Sequence, residues 1–419
     1  MPTSKQFLWL VALAALTAYV AIYARSLASA PIRSDGYSYY VYLPAWFIHH
    51  DPTLQAVPDD CCGGSFPAFT SIVRWPGTKQ WVDPHPIGVA ILTLPLFALA
   101  QLLTWWTNLP PDGFSLYYQH AAGLSGLAAF LLGLWFLRRL LARWFRDGVV
   151  LATLATITLG TNLFHYGTFD SAFSHAFSFA LIAALLDVTD RWWREPDWIA
   201  SLQLAVVAAL LFLVRHPNIV YLIAVPLWNP SGVWARRTTL LRIAAVSALC
   251  VSPQLLIYYR ATGHWFVSVY GQLGRFDFRS PRLAAVLFGT QKGLFFWSPA
   301  LLLAVAGFFI SDPLALRVRT AALLCFAFTA YVIASWSDWQ FGGSFGHRGF
   351  TDSLAIAAVF IAGLFHWTAP RPRARLAVGA AAAAACVLTC AQMVQYWTGV
   401  LPIADTTWTQ YRELFLRFR

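Results

Sequence analysis

The sequence predicts an all-α fold, a polytopic bundle of about eleven transmembrane helices in one domain, because its apolar runs have the ~20-residue length that spans a ~30 Å hydrocarbon layer. Composition agrees: of 419 residues 58% are hydrophobic and 11% charged, against roughly 45–50% and about 25% in soluble domains. The third observation is charge placement, since the excess of 29 Lys and Arg over 18 Asp and Glu lies in short clusters between apolar runs. Such clusters mark cytoplasmic loops. No basic stripe interleaves with aromatics in a soluble segment, which argues against a nucleic-acid partner.

The apolar runs cover 7–24, 87–106, 119–137, 149–165, 172–189, 198–214, 217–228, 240–259, 294–310, 320–336, 351–367 and 375–397. The first, after Lys5, is followed by Ala28-Ser29-Ala30, which imitates a signal-cleavage site. Pro31 directly after it argues against cleavage, so the run reads as a retained helix. Arginines cluster at 138–146, 191–194, 236–242, 317–319 and 371–375. They fall in every second loop only if 87–106 enters and leaves the membrane on one side, or lies at its surface. The segment 107–118 contains no Lys or Arg. With that assignment the N-terminus is cytoplasmic. The outer side holds loop 25–86, the turn 165–172, the Arg215-His216 break, loop 260–293 and loop 337–350. The alanine-rich stretch 378–386 reads as a tightly packed helix face.

Six cysteines show no zinc or redox spacing; Cys61 and Cys62 are adjacent in the first outer loop and the rest lie in apolar runs. A Cys61–Cys62 bond is left open.

The outer segments carry the chemistry. Asp35 opens Asp35-Gly36-Tyr37-Ser38-Tyr39-Tyr40, which predicts an aromatic amphipathic helix in the membrane interface. Asp35 is then either a helix N-cap or a catalytic carboxylate. Asp83-Pro84-His85-Pro86 fixes an extended turn; Asp83 and His85 are candidate metal ligands, though two ligands do not define a site. Asp170 sits at an expected helix start, and His175 is expected about one and a half turns inside that helix, where an ionisable residue marks function. Arg215, His216, Lys292, His347 and Arg348 supply cations on the same side. Arginines there suit a lipid phosphate, which a guanidinium binds through two donors; snorkelling to lipid in general is the alternative.

Asp35 just past the first crossing, the aromatic segment after it, "DPHPIG" at 83–88 and the acidic turn at Asp170 together resemble the GT-C superfamily of membrane glycosyltransferases. Protein O-mannosyltransferases and the lipid A aminoarabinose transferase belong to that group. The resemblance runs in order over roughly the first 220 residues. It implies transfer of a sugar, with inversion, from a polyprenyl-phosphate donor to a glycan, lipid or lipopolysaccharide acceptor at the periplasmic face of a bacterial inner membrane. It further implies Asp35 as the general base that deprotonates the acceptor hydroxyl, with Asp170 as a second catalytic residue. Arg215, His216, Lys292, His347, Arg348, His175 and Tyr39 would be substrate-binding, and loop 260–293 would close over the site. A divalent metal stays open; no other cofactor is implied. Two other readings are a secondary transporter, which needs inverted repeats that the sequence lacks, and a polysaccharide polymerase or ligase, for which Arg260, Arg275, Arg279 and Arg282 with Lys292 would serve.

Overall fold

The structure is a computed structural model that describes residues 3–67, 70–78, 80–267 and 274–418, and of Cys61 only the backbone. It is built almost wholly of helices. Among the described residues seven are long and apolar enough to cross a membrane, and three shorter apolar ones accompany them. Leu10, Leu13 and Leu16 of the first helix and Leu241 and Leu249 of a later one are exposed, a pattern suited to lipid rather than water as solvent.

The bundle has two chemically distinct ends. Helix α1 (Ser4–Ala24) starts with a Thr3–Gln6 capping box. At this end Ser4 donates its backbone N–H to Asp147, and Arg138 donates to the Ser4 hydroxyl. Arg143 bridges Asp187 and Asp190 nearby. This is the arginine end. At the far end of α1 lie the short helices α2 (Asp35–Tyr40), α3 (Tyr42–Phe47) and α4 (Ala56–Cys61), and a two-residue hairpin pairing β1 (Val73–Arg74) with β2 (Trp81–Val82). The interfacial helix expected at 35–47 is not laid open on a surface. Tyr37, Tyr39, Tyr40 and Tyr42 are buried, because the loop after them folds back over the segment and leaves only its last residue, Phe47, half exposed.

Helix α5 (Gly88–Trp106) touches this far end with both of its termini. At its start Ile87 donates to Gln254, and the Gly88 backbone lies so close to Leu213 that an added Cβ would sit 2.3 Å from its carbonyl carbon. At its finish Tyr118 donates to Gln101, and Tyr40 donates to the Gly113 carbonyl.

Helix α6 (Leu116–Ala142) then runs to the arginine end and α7 (Asp147–Leu159) returns. The chain continues through α8 (Leu163–Thr168), α9 (Ser174–Arg194) and α10 (Trp198–Val214). Gly126 of α6 packs on the turn between α8 and α9 so tightly that a Cβ would meet the Ser171 carbonyl oxygen at 1.6 Å. Only glycine permits that approach. The run after Arg215 is a 3₁₀ segment, His216–Ile223, followed by α11 (Ala224–Leu227), and α12 (Arg237–Thr262) ends at Gly263 with φ of 77°, a left-handed helix stop.

Beyond it the expected 294–310 helix is broken into Leu294–Trp297 and Leu301–Phe308, since Pro299 lacks the N–H that would continue it. Pro313–Ser335, Leu354–Thr368 and Pro372–Trp397 complete the long helices. Asp312 caps the first of these through the Leu314 and Ala315 N–H groups, with Pro313 at the position that tolerates it.

Candidate functional site

A cavity of about 300 Å³ opens at the end opposite the arginine clusters. It gathers Asp35, Tyr39, His85, His175, Arg215, His216 and Arg348 from five separate stretches of chain. Asp35 is not an N-cap. Ser34 occupies that position, the helix has no side-chain cap hydrogen bond, and the Asp35 carboxylate instead meets the Arg348 guanidinium at 3.0 Å. Burial opposes its ionisation, but Arg348 first, then His85, His175 and Arg215, outweigh it and hold its pKa below the ordinary carboxylate value.

The second ion cluster at the cavity centres on Asp352, which lies inside the apolar run 351–367. One Asp352 oxygen meets His175 Nδ1 at 2.9 Å and the other accepts from Arg215. Asp352 comes from the 3₁₀ turn Arg348–Ser353, so a single turn delivers both the cation facing Asp35 and the anion holding Arg215. An Asp in an apolar stretch is expensive unless used, and that was the available signal. Asp338 also lines the cavity and is exposed. Burial of part of its carboxyl pushes its pKa up against the pull of Arg348.

Other expected residues lie elsewhere. His175 is the second residue of α9, not one and a half turns inside it, because the 169–173 turn delays the helix. Asp170 neither caps α9, whose N-cap is Phe173, nor lines the cavity. It is 7% exposed, its oxygens held by Arg33 at 2.7 Å and His165 at 2.8 Å. The structure therefore sets Asp170 apart from the cavity, with a partner on each of its oxygens. Lys292 is buried and donates to the Ser344 and Ile403 carbonyls; burial pushes its pKa down to about 8. It ties two loops together rather than facing the cavity. His347 is buried among the rings of Trp339, Phe341 and Phe350, and burial pushes its pKa down to about 3.

Asp83 and His85 are partners of each other, His85 Nδ1 lying 3.2 Å from Asp83 Oδ1, which also accepts the His85 backbone N–H. Asp83 is fully buried with its Oδ1 taken by His85, while His85 lines the cavity. Among the described residues no three His, Cys, Asp or Glu side chains cluster as a metal site would need. Cys62 is disulfide-bonded and Cys250, Cys325, Cys386 and Cys390 are free; the Cys61 side chain lies outside the described residues. Loop 260–293 is described only on either side of 268–273. Its later part lies against the end of the Pro313–Ser335 helix, where Asp277 and Arg282 donate backbone N–H groups to Ser335 and Ala334.

An apolar groove of about 150 Å³ adjoins the polar cavity, and Arg215, Pro217, Trp336 and Phe341 line both. The groove continues over Tyr221, Phe328, Val332 and Ile333. Its walls suit a hydrocarbon chain and its upper end carries charge. Compared with known proteins, this chain matches no family model, no curated protein and no solved structure.

Proposed function

We propose that the chain is a GT-C-like membrane glycosyltransferase that moves a sugar from a polyprenyl-phosphate carrier to a hydroxyl acceptor. One observation carries the reading: a cavity holding Asp35, Arg348 and Arg215 lies beside an apolar groove and shares four lining residues with it. A ligand with an anionic head and a long hydrocarbon tail fills both, with its phosphate at the arginines and its tail over Phe328 and Val332.

In the reaction so framed, the acceptor hydroxyl is deprotonated by Asp35 as its oxygen attacks the anomeric carbon. The carbon–oxygen bond to phosphate breaks on the opposite face, which inverts the centre. Charge gathers on the departing lipid phosphate, and Arg348 and Arg215 stabilise it. Arg348 engages Asp35 in the structure, so donor phosphate competes with Asp35 for the guanidinium and, by taking it, leaves the carboxylate free to accept a proton. Asp352 keeps Arg215 pointed at the cavity.

The same reading assigns eleven crossings, with α5 lying against the outer side, since both its ends contact the cavity end of the bundle. It places that end in the periplasm of a bacterial cell. A second reading, glycan polymerisation, draws on a cup of about 160 Å³ lined by Arg275, Arg282 and Ser337 next to Trp336, a place for a second anionic group.

The test is binding of undecaprenyl phosphate to the purified protein in nanodiscs, beside undecaprenol and phosphatidylglycerol. The phosphate's two charge-assisted hydrogen bonds predict at least about tenfold preference over the alcohol. Equal binding of the phosphate and the alcohol, or of all three lipids, would overturn the reading.

A further inference from the structure

The buried cluster around Asp170 is separate from the cavity, yet it grips the residue two positions before Asp35. Its donors and acceptors can be assigned by elimination. The Trp397 indole N–H can only donate, and it lies 2.9 Å from His165 Nδ1. His165 Nδ1 therefore accepts and the ring proton sits on Nε2, which is 2.8 Å from Asp170 Oδ2. That leaves Asp170 Oδ1 for the Arg33 guanidinium, at 2.7 Å. Arg33 also donates to the carbonyls of Ala30 and Phe169, at 2.6 and 2.9 Å, and lies over the Phe169 ring. Trp397 closes the set by stacking on Phe169.

Between Arg33 and Asp35 stands Ser34, with φ of 48° and ψ of −133°. A non-glycine residue in that region is strained and persists only where its surroundings hold it. No side-chain cap bond holds Ser34. The Ser34 and Arg33 carbonyls accept from the first turn of α2, and Ile32 donates to Gln119; the charged fixings on either side of Ser34 are Arg33 in the buried cluster and Asp35 on Arg348.

We infer that Trp397, His165, Asp170 and Arg33 form a positioning clamp, which keeps Ser34 in its strained conformation and so presents Asp35 to the cavity. The inference rests on the reading of Asp35 as the base, and it makes Asp170 and Trp397 positioning residues. It also says why the last long helix matters to a carboxylate near the other end of the sequence. The indole has a second consequence: while it donates to Nδ1, His165 cannot gain a proton there without losing that bond. Burial already holds the His165 pKa below its ordinary value. The charged groups that act on the ring are Asp170, Arg33 and Lys292.

The experiment measures hydrogen exchange over residues 31–37, thermal stability and undecaprenyl phosphate affinity in wild type, Asp170→Asn and Trp397→Phe. Loss of a hydrogen bond in the clamp predicts about tenfold faster exchange at 34–37 in both variants, confined to that segment. Affinity for undecaprenyl phosphate should be no weaker than wild type, because Arg348 and Arg215 are untouched. In Trp397→Phe, Nδ1 is free to take a proton, so protection at 34–37 should fall with falling pH beyond the intrinsic exchange chemistry, at a higher pH than in wild type. A role in bundle stability alone would give no such pH term.

Unchanged exchange at 34–37, or acceleration spread evenly through α6, α8 and α9, would overturn the clamp. Trp397→Phe keeps the test decisive should Asp170→Asn fail to fold. If the wild-type protein binds no undecaprenyl phosphate, the glycosyl-transfer reading fails while the exchange result still judges the clamp.

Discussion

Two acidic residues that look alike in the sequence, Asp35 and Asp170, end in opposite environments. The Asp170 side chain is 7% exposed and both its oxygens are taken, by Arg33 and by a fully buried His165. The Asp35 side chain is 25% exposed, has one cation partner, and lines a cavity. A closed, fully partnered cluster holds a shape. An open ion pair at a cavity can exchange its partner for a ligand. The two sites therefore differ in kind, one closed around its own partners and the other open to the cavity.

The comparison is broken most severely at Arg348. Arg348→Ala removes the phosphate partner and leaves Asp35 without its cation, so transfer should fall by about 10²–10³, and undecaprenyl phosphate affinity should fall with it. Arg348→Lys keeps the charge but loses the planar fork and should recover only part of the loss. Near-normal transfer in either variant would remove Arg348 from the site.

Asp352→Asn is expected to act less strongly. The amide can still accept one hydrogen bond, but its other end is a donor facing either Arg215 or His175, and with the carboxylate charge gone the Arg215 guanidinium is held less firmly in either orientation. A loss of about tenfold in lipid affinity follows from a missing hydrogen bond to a charged group, read by titration with undecaprenyl phosphate.

A gentler probe is pH. Arg33 and His165 outweigh the burial of Asp170 and hold its pKa below the ordinary value. Its stabilisation is therefore fully present above the unfolded carboxyl value near ~4 and is lost only as pH falls through the depressed folded value. Protection of residues 31–37 in wild type should thus be flat from neutral pH to about 5, once intrinsic exchange is subtracted. A decline over that interval would mean that the clamp is not ionised as described.

The smallest perturbation concerns topology rather than energy. Asn108 is exposed after α5, so Asn108→Cys on a cysteine-free background should react with an impermeant thiol reagent from the periplasmic side with no loss of lipid binding. Reaction only after permeabilisation would make α5 a true crossing and change the count.

Much of this arrangement was legible in the sequence. Asp35, His85, Arg215 and Arg348 each flank an apolar run on the side away from the arginine clusters, and in a membrane bundle that shared side brings distant segments to one end. The break at Pro299 and the cap at Asp312 have local causes in those residues, but the break falls inside a run, 294–310, that hydropathy makes continuous. The partners were not legible. Asp35 read as a plausible N-cap because composition cannot say whether its oxygen meets a backbone N–H or a guanidinium from a turn more than three hundred residues later. Asp352 was absorbed into the run 351–367 and His165 into the run 149–165, since hydropathy averaging hides a lone ionisable group. Asp170 reads as a helix start from its turn, whereas Phe173 is the N-cap of α9 and Ser174 its first residue. Burial of the aromatic segment after Asp35 depended on a loop folding back over it, a long-range event that periodicity does not encode.

The central claim, that Asp35 is the base at a lipid-phosphate site, is tested most directly by measuring Asp35→Asn for sugar transfer and undecaprenyl phosphate binding in the same preparation. Asparagine preserves size and removes both the proton acceptor and the competitor for Arg348. The account predicts a stable protein that binds undecaprenyl phosphate at least as tightly as wild type and transfers sugar about 10²–10⁴ times more slowly. A variant that transfers at nearly the wild-type rate, or one that is stable but binds the lipid phosphate more weakly, would contradict it.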